Sequence, residues 1–191
     1  MRFEDGSIMR LYRQTVEDFG LYSGRELSED ELKSLKSSAG EMSAKMRAVR
    51  IVSASSVSKR DLEYRLVQKG ENPSQAKQAV EWMSELNLLD DAKTAEQIVH
   101  KCIYKGYGRS RAKQALYEKR IPKEFWEDAL ADYPDQTDRI LDFLRSRLDD
   151  SSDERDVRRA VDALLRRGHS YHEIRKAMEE LRFDLDVQED F

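Results

Sequence analysis

The chain is poor in the residues that build staples, sheets and membrane spans. It holds one cysteine, Cys102, in 191 residues. An internal disulfide and a cysteine-based zinc site are therefore both excluded, and a reduced setting fits. No apolar run approaches the ~20 residues that cross a bilayer, and "MRFEDGSIMRLY" lacks a secretory h-region. The expectation is a soluble, cytoplasmic protein. Glycine and proline are scarce, at eight and three, and β-branched clusters are few. Ala, Leu, Glu, Lys and Arg dominate instead, a composition that favours helices. Also missing are a phosphate-binding glycine loop and a nucleophile elbow. Acids are abundant, with 38 Asp and Glu, so chance carboxylate pairs mean nothing. No catalytic residue and no cofactor are expected.

What is present is charge laid over a periodic apolar pattern. Charged residues make up 38% and apolar ones 39%, and the periodicity argues against wholesale disorder. Three segments align without gaps: 61–80, 111–130 and 159–178. Leu66, Leu116 and Leu164 coincide, as do Lys69, Lys119 and Arg167. Further on, Ala76, Trp126 and Ile174 match, followed by Ala79–Val80, Ala129–Leu130 and Ala177–Met178. Each segment reads as helix, tight turn, helix. Ser58 with Asp61, and Ser170 with Glu173, have capping-box spacing. Asn72 before Pro73 gives a cap and a first-turn proline. Gly70 and Gly168 stand where a helix ends in a left-handed residue. Arg120 holds that position in the second segment, so its turn should differ or be more costly.

A longer helix precedes each pair, with Met42, Met46, Val49 and Val52 on one face of 40–55. Ala92, Ala95, Val99, Cys102 and Ile103 do the same in 90–106, and Ile140, Leu141, Leu144 and Leu148 in 135–148. The expected fold is all-α, with three tandem three-helix units at 40–89, 90–134 and 135–183. Such units are marginal alone and gain by stacking into an elongated array. Residues 1–39 form an N-terminal extension, with a hairpin signal at Asp5-Gly6 and a short helix from Ser28 to about Ser38. Residues 184–191 read as an acidic tail.

Positive charge is concentrated in 104–122, "YKGYGRSRAKQALYEKRIP", with six Lys or Arg against one acid, Glu118, in a chain of net charge −4. On a helix from about Arg109 to Arg120, Ala112, Ala115 and Leu116 define the buried side. Arg109, Lys113, Tyr117 and Arg120 then share a stripe about 80° wide beside it. Cations around an aromatic ring suit phosphates, with the ring available for a base or a partner side chain; the plain alternative is a solvated face. Arg111 and Glu118 fall on another side and can pair near Gln114. Lys105 and Tyr107 precede the helix and join the candidate set. A second stripe, Arg155, Arg159 and Arg166, includes Asp162 and favours a salt-bridged solvent face. The repeated cation at Lys69, Lys119 and Arg167 meets the carbonyl end of its helix and needs no functional reading. His169 and His172 lack partners for a metal site, and His100 is isolated. Trp82 and Trp126 fall on apolar faces and read as core.

The repeat, with "LLDD" (88–91), "KGYGRSRAKQAL" (105–116) and "EKRIP" (118–122), resembles the RecX family of bacterial RecA regulators over about residues 41–183. Residues 8–38, with "GLYSGRELSEDEL", look like the extension of longer members. The departure is Arg120, where the family has glycine. The resemblance implies three tandem three-helix units, nine helices in all. It implies binding to the RecA filament and the single-stranded DNA within it, with inhibition of recombinase activity in recombination, DNA repair and the SOS response. A monomer without metal or membrane partner is expected. The alternative is an autonomous nucleic-acid binder using its units like helix-turn-helix modules, against which the acidic net charge argues mildly.

Overall fold

Capping residues set several helix starts, as the sequence anticipates. The computed structural model describes the backbone of residues 1–149 and 152–188, and side chains as far as 181. Its described residues form α-helices and one 3-10 turn, with no strand. They divide into two compact units, Met1–Asp91 and Ala92–Phe191.

In the first unit, α1 (Arg13–Asp18) precedes α2 (Glu29–Ala54), α3 (Lys59–Gln68) and α4 (Pro73–Glu85). Ser28 and Glu31 make the reciprocal capping box that starts α2, with bonds of 3.2 and 2.9 Å. Ser58 accepts from the Asp61 amide at 3.0 Å. Asn72 caps Ser74 at 2.9 Å ahead of Pro73. The core gathers Ala44, Ala48, Leu62, Leu66, Ala76, Ala79 and Met83.

Two expectations for this unit need correction. The hairpin at Asp5-Gly6 is a turn with a single antiparallel bridge, Arg2 to Ile8, and no strand ladder. Backbone hydrogen bonds flank it, from Phe3 to Ser7 and between Met1 and Met9. The break expected between a short helix and 40–55 does not exist, because α2 runs through Gly40. A Cβ there would lie 2.4 Å from the Gln75 amide, and Gln75 Nε2 donates to the Ser37 carbonyl at 3.1 Å. Gly40 is thus a spacer where α4 meets α2, not a helix end. Likewise, within 40–54 it is Ala44 and Ala48, not the methionines, that are fully buried. Small residues allow α2 and α4 to approach closely.

The second unit takes all but the first residue of α5 (Asp91–Tyr104), then α6 (Arg109–Glu118) and the 3-10 turn Lys123–Phe125. It continues with α7 (Trp126–Leu130), α8 (Thr137–Arg145), α9 (Glu154–Arg166) and α10 (Tyr171–Gln188). It has two apolar clusters. One joins Ala95, Val99, Cys102, Ala112, Leu116, Ile121 and Leu130. The other joins Ile140, Leu141, Leu144, Ala160, Leu164, Ile174, Ala177 and Leu181. Trp126 is half-buried and donates its indole N–H to the Ile121 carbonyl at 3.0 Å. α10 runs into the acidic tail, whose residues 189–191 lie outside the described residues.

Leu66, Leu116 and Leu164 are each buried just before a turn of one geometry. The carbonyl of each accepts an N–H from five residues on: Glu71 at 3.1 Å, Ile121 at 3.0 Å and His169 at 3.2 Å. The residue between is left-handed in each case: Gly70 at φ 89°, Arg120 at φ 53° and Gly168 at φ 88°. Arg120 therefore makes the same turn as the glycines. The expected difference is one of cost alone, since Cβ crowds the following carbonyl in that conformation.

Candidate partner-binding helix

α6 starts unlike its two counterparts. α3 opens under Ser58 with Asp61 in its first turn, and its Lys59 amide donates to Asp91 Oδ1 at 2.9 Å. α9 opens under Asp153, which accepts from the Arg155 and Asp156 amides at 2.8 and 3.0 Å. α6 opens on Gly108 with no side-chain cap and no acid in its first turn. Arg109 and Arg111 stand there instead, against the positive end of the helix dipole.

Backbone carbonyls supply what side chains do not. The amides of Gly108 and Ser110 donate to the carbonyls of Arg167 and Gly168, at 3.0 and 3.2 Å. The last turn of α9 thus caps the first turn of α6, negative dipole end to positive. The approach is so close that a Cβ on Gly108 would lie 2.1 Å from the Gly168 oxygen, and one on Gly168 2.3 Å from the Arg111 amide nitrogen. This explains the second glycine of "KGYG". The first, Gly106 at φ 65°, ends α5.

From that anchored start the charges divide. Glu118 is taken up by its own helix: Gln114 donates to it at 3.0 Å and Arg111 lies 3.4 Å away. Arg109 and Lys113 are exposed; neither has an ion pair among the described residues. Tyr117 is 73% exposed beside them. Arg120 does not extend the stripe as a helical residue, because α6 ends at Glu118 with Lys119 as C-cap. Lys105 is exposed, with its ammonium 5.9 Å from the Tyr107 ring centroid. Tyr107 itself is half-buried against the cluster, and its carbonyl accepts the Tyr133 hydroxyl at 2.6 Å. Burial pushes the Tyr133 phenol up to about 12.

Arg155, Arg159 and Arg166 are exposed along α9. Arg159 pairs with Asp156 at 3.2 Å, one turn back rather than with Asp162. Arg159 thus has a local ion pair on a solvent-exposed face. Lys69, Lys119 and Arg167 are the C-caps of α3, α6 and α9. Arg167 also stacks over Phe143, 4.6 Å from the ring centroid. His169 is buried while His172 is exposed, so the two do not share a face. No His, Cys, Asp and Glu cluster among the described residues could hold a metal ion. No described helix is long and apolar enough to cross a membrane.

Sequence reasoning missed two things here. Tyr104, 82% exposed at the end of α5, adds a ring to the same basic segment. The glycine contact that anchors α6 pairs positions 60 residues apart in the chain, Gly108 and Gly168. Local patterns carry no trace of it beyond the unexplained glycine.

A family model described as "RecX, second three-helix domain" matches residues 90–130, the stretch that contains α5, α6 and α7. The regulatory protein RecX of Xanthomonas campestris pv. campestris is 32% identical over 132 residues, covering 68% of this chain and 80% of that protein. The regulatory protein RecX of Vibrio parahaemolyticus is 27% identical over 146 residues, covering 75% of this chain and 94% of that protein. A crystal structure of a regulatory protein RecX superposes with a TM-score of 0.65 at 19% identity, covering 88% of this chain and 86% of the other. The structure of RecX from Lactobacillus salivarius gives 0.64 at 21% identity, covering 75% and 97%.

Proposed function

The chain belongs to the RecX family, and from that premise we propose that it is a non-enzymatic regulator of the RecA recombinase. It binds the RecA–single-stranded DNA filament and inhibits recombinase activity in homologous recombination and repair. The chain is read as three tandem three-helix units at 40–89, 90–134 and 135–183, acting as a monomer in the cytoplasm. The contact is the exposed face of α6, through Arg109, Lys113 and Tyr117, with Lys105 and Arg120 flanking it. Arg155, Arg159 and Arg166 on α9 are secondary. The observation that carries this reading is the start of α6. Its first turn carries Arg109 and Arg111 with no acid to offset them, Arg111 standing where α3 places Asp61, a local choice that costs helix stability. Sequences break such rules chiefly where a partner is served.

Chemistry favours phosphate or carboxylate as the contacted group. Exposed guanidinium and ammonium groups bind phosphates with counterion release, and an exposed phenol ring stacks on a base or packs on a side chain. The chain as a whole is acidic, at −4, which limits binding to free DNA. A regulator of the filament must therefore prefer the coated strand. Affinity for naked single-stranded DNA, measured against affinity for the RecA-coated strand at one salt concentration, tests this. A clear preference for the filament is expected. Equal or tighter binding to naked DNA would favour the autonomous nucleic-acid binder instead.

A further inference from the structure

His169 is a buried polar side chain to which the binding surface gives no role. It is 4% exposed, at the turn between α9 and α10. Its Nε2 lies 3.1 Å from the Gly106 carbonyl. A carbonyl only accepts, so Nε2 carries the proton, and the neutral ring leaves Nδ1 bare. Nδ1 is buried and has no hydrogen-bond partner. The amides of Gly108 and Ser110 donate to the carbonyls of Arg167 and Gly168 alongside. Three hydrogen bonds thus hold residues 106–110 against 167–169, over a glycine contact that admits no Cβ on either side.

We propose that His169 is a positioning residue, a clip that fixes the start of α6 and releases it in acid. The inference rests on the reading of α6 as the binding helix for its purpose, though not for its existence. A second proton would go to Nδ1 and bury an N–H with nothing to receive it. Two charged groups face the ring. Glu173, on α10, favours the imidazolium, but its carboxylate already accepts from the Ser170 amide at 2.6 Å. Arg167, at the end of α9, opposes it. Burial is the larger influence and pushes the imidazole below its ordinary value. The sign follows. A folded value below the unfolded one means the opened state takes up the proton more readily. The clip is then fully effective above the ordinary histidine value of about 6.5 and weakens as pH falls through it. Within that window each pH unit favours opening by up to about tenfold.

Hydrogen exchange on the full chain tests this, with rates corrected for intrinsic chemistry. Between pH 7.5 and 5.5 the Gly108 and Ser110 amides should open up to about tenfold more in all, nearly all of it below pH 6.5. The Glu71 and Ala76 amides, in the other unit, should not respond. His169→Gln offers an N–H in place of Nε2 and does not titrate, so it should abolish the response while keeping protection. His169→Ala should expose both amides at either pH. Opening of Gly108 and Ser110 that ignores pH in the parent, or that persists with pH in His169→Gln, would overturn the clip. Affinity for RecA-coated single-stranded DNA, measured in parallel, should fall in acid more for the parent than for His169→Gln. A clip that opens without this loss stands as a clip, and it is the assignment of α6 as the binding helix that then fails.

Discussion

α3 and α6 occupy the same place in the repeat, yet their starts are capped by different means. Five residues before the buried leucine, α3 has Asp61 and α6 has Arg111. α3 is capped by Ser58 and by the Asp91 carboxylate, whereas α6 is capped by carbonyls at the end of α9. One start is stabilised by oxygen-bearing side chains, one of them local. The other is stabilised by a distant turn, which leaves its local side chains to serve something else. A helix can thus carry charge against its dipole when its orphan amides are satisfied elsewhere.

The buried leucines are where the two helices should not differ. Leu66 and Leu116 are both 0% exposed. Alanine at either should cost about 2–5 kcal/mol in urea unfolding, from lost burial and the cavity left behind. A much smaller loss at Leu116 would mean that α6 is loosely packed, and the contrast would then reflect disorder rather than design.

The glycines are where they should differ most. Gly70 faces open space, so Gly70→Ala should cost only the left-handed strain, about 1 kcal/mol. Gly108→Ala drives a methyl into the Gly168 carbonyl and should cost about 3 kcal/mol, at the upper end for overpacking. Chemical denaturation of both variants checks this. Equal costs would remove the carbonyl cap from the explanation. Arg120→Gly works in the other direction. It relieves a left-handed side chain and should raise stability by up to about 1 kcal/mol, offset in part by the freer unfolded chain.

Helix caps, turn positions and core leucines were legible in the sequence because they depend on neighbours within five residues. Ser28 with Glu31, Asn72 with Pro73, and Gly70 all took the conformations their types favour. The continuous α2 was not legible. Gly40 reads locally as a break, and only the side chain of Gln75 explains it. Arg120 was half legible: its position in the repeat was clear, but that a non-glycine would adopt the same turn was not. In the candidate site, the exposure of Arg109, Lys113 and Tyr117 followed from their spacing around Ala112 and Leu116. The clip of His169 to Gly106 did not, since it joins residues 63 apart.

The central claim is that α6 carries its first-turn charge for a partner and at some expense to itself. The measurement that tests it most directly is the paired change Arg109→Glu with Lys113→Glu, read for stability and for affinity to RecA-coated single-stranded DNA at two salt concentrations. A glutamate in the first turn complements the dipole, so stability should hold or rise by up to about 1 kcal/mol. Affinity should fall, and its salt dependence should shrink because fewer counterions are released. A folded double variant that binds the filament like the parent at both salts would contradict the account.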